Sequence, residues 1–66
     1  MEVYRAETSH WVDGRQVNRK GFFQRSSEEG AKEHFHKRLK ADRTIQEAAL
    51  FRDRDNKLVD EYIGYC

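Results

Sequence analysis

The dipeptide Asp13-Gly14 constrains this chain more than any other feature. It separates two runs with the alternation of β-strands, and Asp-Gly suits a two-residue type I′ turn, which needs positive φ at both central positions. A two-residue turn fixes register. Paired positions sum to 27, so Tyr4 faces Phe23, Arg5 faces Phe22, Ala6 faces Gly21 and Glu7 faces Lys20. Strands are expected from Val3 to Val12 and from Arg15 to about Gln24. Because successive side chains point to opposite faces, the adjacent Phe22 and Phe23 must part. Tyr4, Ala6, Val17, Gly21 and Phe23 form the better core face. Val3, Arg5, Trp11 and Phe22 fall on the reverse.

The segment Ser26-Ser27-Glu28-Glu29 has the spacing of a capping box, with Ser26 as N-cap and Glu29 at N3. It predicts a helix from Ser27 to about Ala41. Ala31, Phe35 and Leu39 make its narrow apolar stripe. Early acids (Glu28, Glu29, Glu33) and late bases (Lys37, Arg38, Lys40) follow the helix dipole. Thr44 to Arg52 and Lys57 to Tyr65 read as a second hairpin. A three-residue loop, Arg54 to Asn56, sets Phe51 opposite Val59 and groups Ile45, Ala49, Phe51, Val59, Ile63 and Tyr65 on one face. Asn56 then takes the left-handed position. The expected fold is α+β, ββαββ: a four-stranded antiparallel sheet with one helix packed on one face, in a single domain over 1–66. The strand order stays open. One helix covers one face, so Leu50, Leu58, Tyr62, Phe22 and Trp11 are candidates for the uncovered side.

Sixty-six residues lie near the lower limit for independent folding. The chain is 36% hydrophobic and 38% charged, with one Trp, three Tyr and four Phe to build a small core. A stability of about 3–5 kcal/mol is expected, and a homodimer is one way to bury more. The only cysteine is Cys66, too few for an internal disulfide, and the opening residues carry no apolar leader. The chain reads as cytoplasmic, and no stretch has the length of a membrane span.

The chemistry of enzymes finds little purchase. His34 and His36 lie two residues apart on the predicted helix, about 200° around its axis, so they do not grip one ion, and no metal or cofactor is expected. Asp53 and Asp55 sit in a turn, and the serines occupy caps or a strand. The expectation is a non-enzymatic protein.

Two binding readings remain. Net charge is only +1, but residues 15–43 hold nine Lys/Arg against four Asp/Glu, and residues 45–66 hold three against five. In the leading reading a protein partner docks on the reverse aromatic face through Arg5, Trp11, Phe22 and Tyr62, a composition favoured at interface hot spots. In the alternative, Arg19, Lys20, Lys32, Lys37, Lys40 and Arg43 follow the phosphates of a nucleic acid.

In layout, the Asp13-Gly14 hairpin, the serine-capped helix entered as "SSEEGAKEHF" and the closing hairpin resemble the small ββαβ or ββαββ proteins that phages encode to bind host machinery. Inhibitors of host RNA polymerase and some anti-CRISPR proteins are among them. The resemblance implies a phage or mobile-element regulator acting by steric occlusion, and carries no residue role across. Several such inhibitors are strongly acidic; this chain is not, which argues against nucleic-acid mimicry.

Overall fold

The computed structural model describes residues 1–64. Its elements are β1 (Glu2–Val12), β2 (Arg15–Arg25), α1 (Glu28–Ala41), β3 (Ile45–Arg52) and β4 (Lys57–Ile63). The four strands form one antiparallel sheet in the order β2-β1-β3-β4. Tyr65, expected on the core face, and Cys66 lie outside the described residues.

The first hairpin forms as its turn dictates. Asp13 and Gly14 both have positive φ, 51° and 76°. The register runs unbroken from Val12↔Arg15 to Glu2↔Arg25, with Tyr4 against Phe23 and Arg5 against Phe22. β1 is a central strand, and its inward residues Tyr4, Ala6, Thr8 and His10 are all buried.

The helix starts one residue later than the capping-box reading. Ser27, not Ser26, is the N-cap, and its Oγ accepts the Gly30 N–H at 3.2 Å. The N3 residue is therefore Gly30, and Glu29 falls at N2, out of the box position. The apolar stripe holds: Ala31 and Phe35 are buried and Leu39 packs against the core. Glu33 and Lys37 make the expected i,i+4 ion pair at 3.5 Å.

The second hairpin departs further from expectation. Arg52 pairs with Lys57 and Phe51 with Leu58, so the loop has four residues, Asp53–Asn56, rather than three, and Phe51 does not face Val59. Asn56 does take the left-handed conformation, with φ 58°. The register then shifts between Leu50 and Phe51, and from Leu50↔Asp60 to Glu47↔Ile63 the pairs again sum to 110. Val59 is the extra residue of this bulge. A second shift stands between β1 and β3, where Ser9 pairs with Glu47 but His10 with Ile45, leaving Gln46 unpaired with β1.

These bulges decide what faces the helix. A one-residue insertion inverts the alternation on one side of it. Ile45, Ala48 and Leu50 therefore all turn inward and are buried, while Ala49 and Phe51 turn outward. The expected grouping of Ala49 and Phe51 with Ile45 is overturned, as is the placing of Leu50 on the uncovered side; Leu50 is wholly buried. On β4 the bulge lets Val59 reach the core and leaves Asp60 beside the helix, where it meets His36 at 2.8 Å.

The core is thus Tyr4, Ala6, Ala31, Phe35, Ile45, Ala48 and Leu50, with Phe23, Leu39 and Val59 packed against it. Phe23 lies between the Tyr4 ring at 6.0 Å and the His34 ring at 4.4 Å.

Candidate functional site

Residues directly opposite each other share a face, so the registers map the uncovered side of the sheet row by row. One row crosses all four strands as Phe22, Arg5, Phe51 and Leu58. The next reads Lys20, Glu7, Ala49 and Glu61, and the one after it Asn18, Ser9, Glu47 and Ile63. Phe22 is 60% exposed, Leu58 48% and Ile63 55%. The sequence reasoning found Phe22 for the right reason, the pleat opposite Phe23. It also expected Leu58 on the uncovered side, but it assigned Phe51 and Ile63 to the core face, because the phase of β3 depends on a bulge.

Arg5 is the organising residue of the patch. Its guanidinium lies over the Phe51 ring, 4.8 Å from the centroid. Nε donates to Glu7 Oε2 at 2.7 Å, Nη1 to Asp53 Oδ1 at 3.1 Å, and Nη2 to Asn56 Oδ1. Its side chain keeps only 15% of its exposure. The three guanidinium nitrogens are satisfied within the chain, so the role of Arg5 is to hold Phe51 and the β3–β4 turn in place rather than to reach for a partner. The turn is braced again by Arg52, which makes a two-pronged contact with Asp55 at 3.0 and 2.5 Å. That contact, with a weaker bond from the Lys57 N–H, pulls the Asp55 carboxyl from its ordinary 3.8 to about 2.

The other expected contact residues lie elsewhere. Tyr62 pairs with Ala48, whose side chain is buried under the helix, so Tyr62 belongs to the covered face and not to that of Phe22. The bulge at Gln46 is the physical reason: Tyr62 keeps its expected pairing with Ala48, and that bulge turns Ala48, and Tyr62 with it, toward the helix. Tyr62 borders an open cleft of about 880 Å³ beside Leu39, Arg43 and Thr44. Trp11 is 51% exposed at the far end of β1 and borders the same cleft, four positions along the strand from Glu7. The patch Arg5, Trp11, Phe22 and Tyr62 is thus not one surface; Arg5 and Phe22 stay together, joined by Phe51 and Leu58.

The basic residues of the nucleic-acid reading are also divided. Lys20 stands on the open face, in the row of Glu7 and Glu61, whereas Arg19 pairs with the buried Thr8 and belongs to the helix-covered side. Lys37 is drawn to Glu33. Lys32, Lys40 and Arg43 remain on or just beyond α1. The two helix histidines go separate ways. His36 meets Asp60, while His34 Nδ1 lies 3.0 Å from Arg25 Nη2. Burial, with Arg25, Arg38 and Lys37 nearby, pushes the His34 pKa below its ordinary value. Among the described residues no three His, Cys, Asp or Glu side chains gather to hold a metal ion. Likewise, no helix is long and apolar enough to cross a membrane.

A polar chain that runs from two buried residues of β1 out to the end of α1 was not foreseen. Thr8 Oγ1 lies 2.7 Å from His10 Nε2, and His10 Nδ1 lies 2.9 Å from Thr44 Oγ1. The Thr44 hydroxyl donates to Asp42 Oδ1 at 2.6 Å and the Thr44 N–H to the same oxygen at 2.9 Å. With its one proton given to Asp42, Thr44 Oγ1 accepts from His10 Nδ1–H, and Nε2 accepts from Thr8. These bonds hold the Asp42 carboxyl below its ordinary value. A carboxylate, a hydroxyl, an imidazole and a second hydroxyl in line look like a catalytic relay. Yet Thr8 and His10 are 6% and 2% exposed, so the chain of bonds ties the helix C-terminus and the start of β3 onto β1. The sequence signal was available: His10 alternates with Thr8, Ala6 and Tyr4, and an inward histidine needs two partners.

Comparison with protein-family models, curated proteins and solved structures returned no match.

Proposed function

We propose that this chain is a small, non-enzymatic protein-recognition module whose working surface is the open face of the sheet. One observation carries the reading: Phe22, Phe51 and Leu58 stand in a single row across three strands, with Arg5 between the two rings and already bonded on all three nitrogens. Burying that row against a partner removes apolar area from water without stranding a charge, which is the composition of an interface centre. Acting as a regulator by steric occlusion, as the phage-protein layout suggests, requires nothing more than such a rigid face. The contact set becomes Phe22, Phe51, Leu58 and Ile63, with Arg5 as its support.

The test is retention of proteins from the native host on the immobilised chain. Phe22→Asp and Leu58→Asp, both exposed sites, are expected to abolish retention while circular dichroism shows an intact fold. Undiminished retention by both variants refutes the reading. The nucleic-acid reading makes the opposite forecast. Lys40→Ala with Arg43→Ala lowers affinity for DNA or RNA, and binding weakens steeply with salt.

A further inference from the structure

We infer that the open face is self-complementary and receives a second copy of this chain, face to face about a two-fold axis running along the strands between β1 and β3. This rests on the reading of that face as a recognition surface, and names its occupant. A two-fold in that direction lays β2 of one copy over β4 of the other, and β1 over β3, with each row at its own level. In the apolar row, Phe22 then meets Leu58 of the second copy, and Arg5 meets its Phe51. In the next row Lys20 meets the second copy's Glu61, an opposite charge, and Glu7 meets Ala49, the small residue of the row. Each match occurs twice in the pair, as the symmetry of such an interface requires.

The shape of the face supports the same pairing. A shallow depression of about 500 Å³ lies on the open side, with Glu7, Lys20, Ala49, Phe51 and Glu61 among its walls. The Glu7 carboxylate that would fill it is already neutralised by Arg5 Nε at 2.7 Å, so it enters the contact without an unpaired charge. A two-fold across the strands does the reverse. Centred on the Lys20 row, it sets Lys20 on Lys20 and Glu61 on Glu61. With the Lys20 rows of both copies at one level, the charge pattern favours the two-fold along the strands.

The experiment is sedimentation equilibrium of the full chain under reducing conditions, from micromolar to millimolar, with a charge swap. The wild type is expected to dimerise. Lys20→Glu and Glu61→Lys are each expected to raise the dimer Kd on the order of tenfold, since each turns two attractive contacts into repulsive ones. Lys20→Glu with Glu61→Lys together is expected to return it to within about threefold of wild type, because the swap rebuilds the pair across the axis. Lys20 also faces Glu7 within its own chain, so Glu61→Lys, which faces Ala49, is the cleaner single variant. Lys20→Gln and Glu61→Gln serve if a reversal impairs folding, each expected to weaken the dimer by a smaller factor. A chain that stays monomeric overturns the inference, as does a dimer that neither single reversal weakens or that the double variant fails to restore. A monomer that still loses host-protein retention on Phe22→Asp overturns self-association alone and leaves the recognition reading standing.

Discussion

Phe35→Ala tests whether the core lies where the fold places it. Phe35 is 1% exposed and is the largest side chain that α1 buries; Ala31 is the only other fully buried residue of the helix. Truncating a buried Phe to Ala costs about 3–5 kcal/mol, combining lost transfer energy with an unfilled cavity. A domain of this size holds only about 3–5 kcal/mol in total. The two ranges coincide, so the variant should sit close to its unfolding midpoint at 25 °C, with its urea transition moved to near zero denaturant. Phe22→Ala is the matched control, the same chemical change on the other side of the sheet. Phe22 is 60% exposed, so roughly two-fifths of a full Phe burial of about 1.5–3 kcal/mol is at stake, about 1 kcal/mol. That corresponds to a fall in Tm of about 4–8 °C. The assay is urea and thermal unfolding of both variants followed by circular dichroism. Equal destabilisation of the two, or a Phe35→Ala variant within about 1.5 kcal/mol of wild type, would mean that the helix does not cover the face assigned to it, and the reasoning from that cover to the open row fails with it.

Leu50→Ala is expected to destabilise by about 2–5 kcal/mol in the same assay, whereas Ala49→Ser, one residue along and on the open face, should change stability by no more than about 0.5 kcal/mol. Similar effects at the two sites would contradict the bulge at Gln46. Gly14→Ala should cost about 1–2 kcal/mol, because φ is +76° there, and the loss should appear as a lower urea midpoint. The Asp55 carboxyl titrates from an ordinary 3.8 down to about 2 on folding, so its pairing with Arg52 stabilises the fold above about pH 4 and fades as pH falls through about 2. Asp55→Asn should flatten stability against pH in that window, and an unchanged profile refutes the assignment. His34 is shifted below its ordinary 6.5, so its neutral form is favoured by folding; stability should begin to fall as pH drops below about 6.5, and His34→Gln should remove that part of the slope.

The first hairpin, the serine-capped helix and its Ala31-Phe35-Leu39 stripe were legible in the sequence because each rests on contacts close along the chain. A two-residue turn sets every pair of β1 and β2, so the parting of Phe22 from Phe23 follows from Asp13-Gly14 alone. The helix start slipped by one residue because two adjacent serines compete for the cap, and the choice falls to the one whose oxygen meets the Gly30 N–H. The strand order, the phase of β3 and β4 and the bonding of His10 belong to tertiary structure. β3 has to place Ile45, Ala48 and Leu50 against one helix while staying bonded to β1, and a regular strand cannot bring positions three apart to the same face. The unpaired Gln46 and Val59 resolve this, and they turn Phe51 and Leu58 outward to join Phe22. Local alternation is a period-two signal, blind to a single inserted residue. Only the packing of distant segments decides where that insertion goes, and with it which residues the sheet leaves to face another molecule.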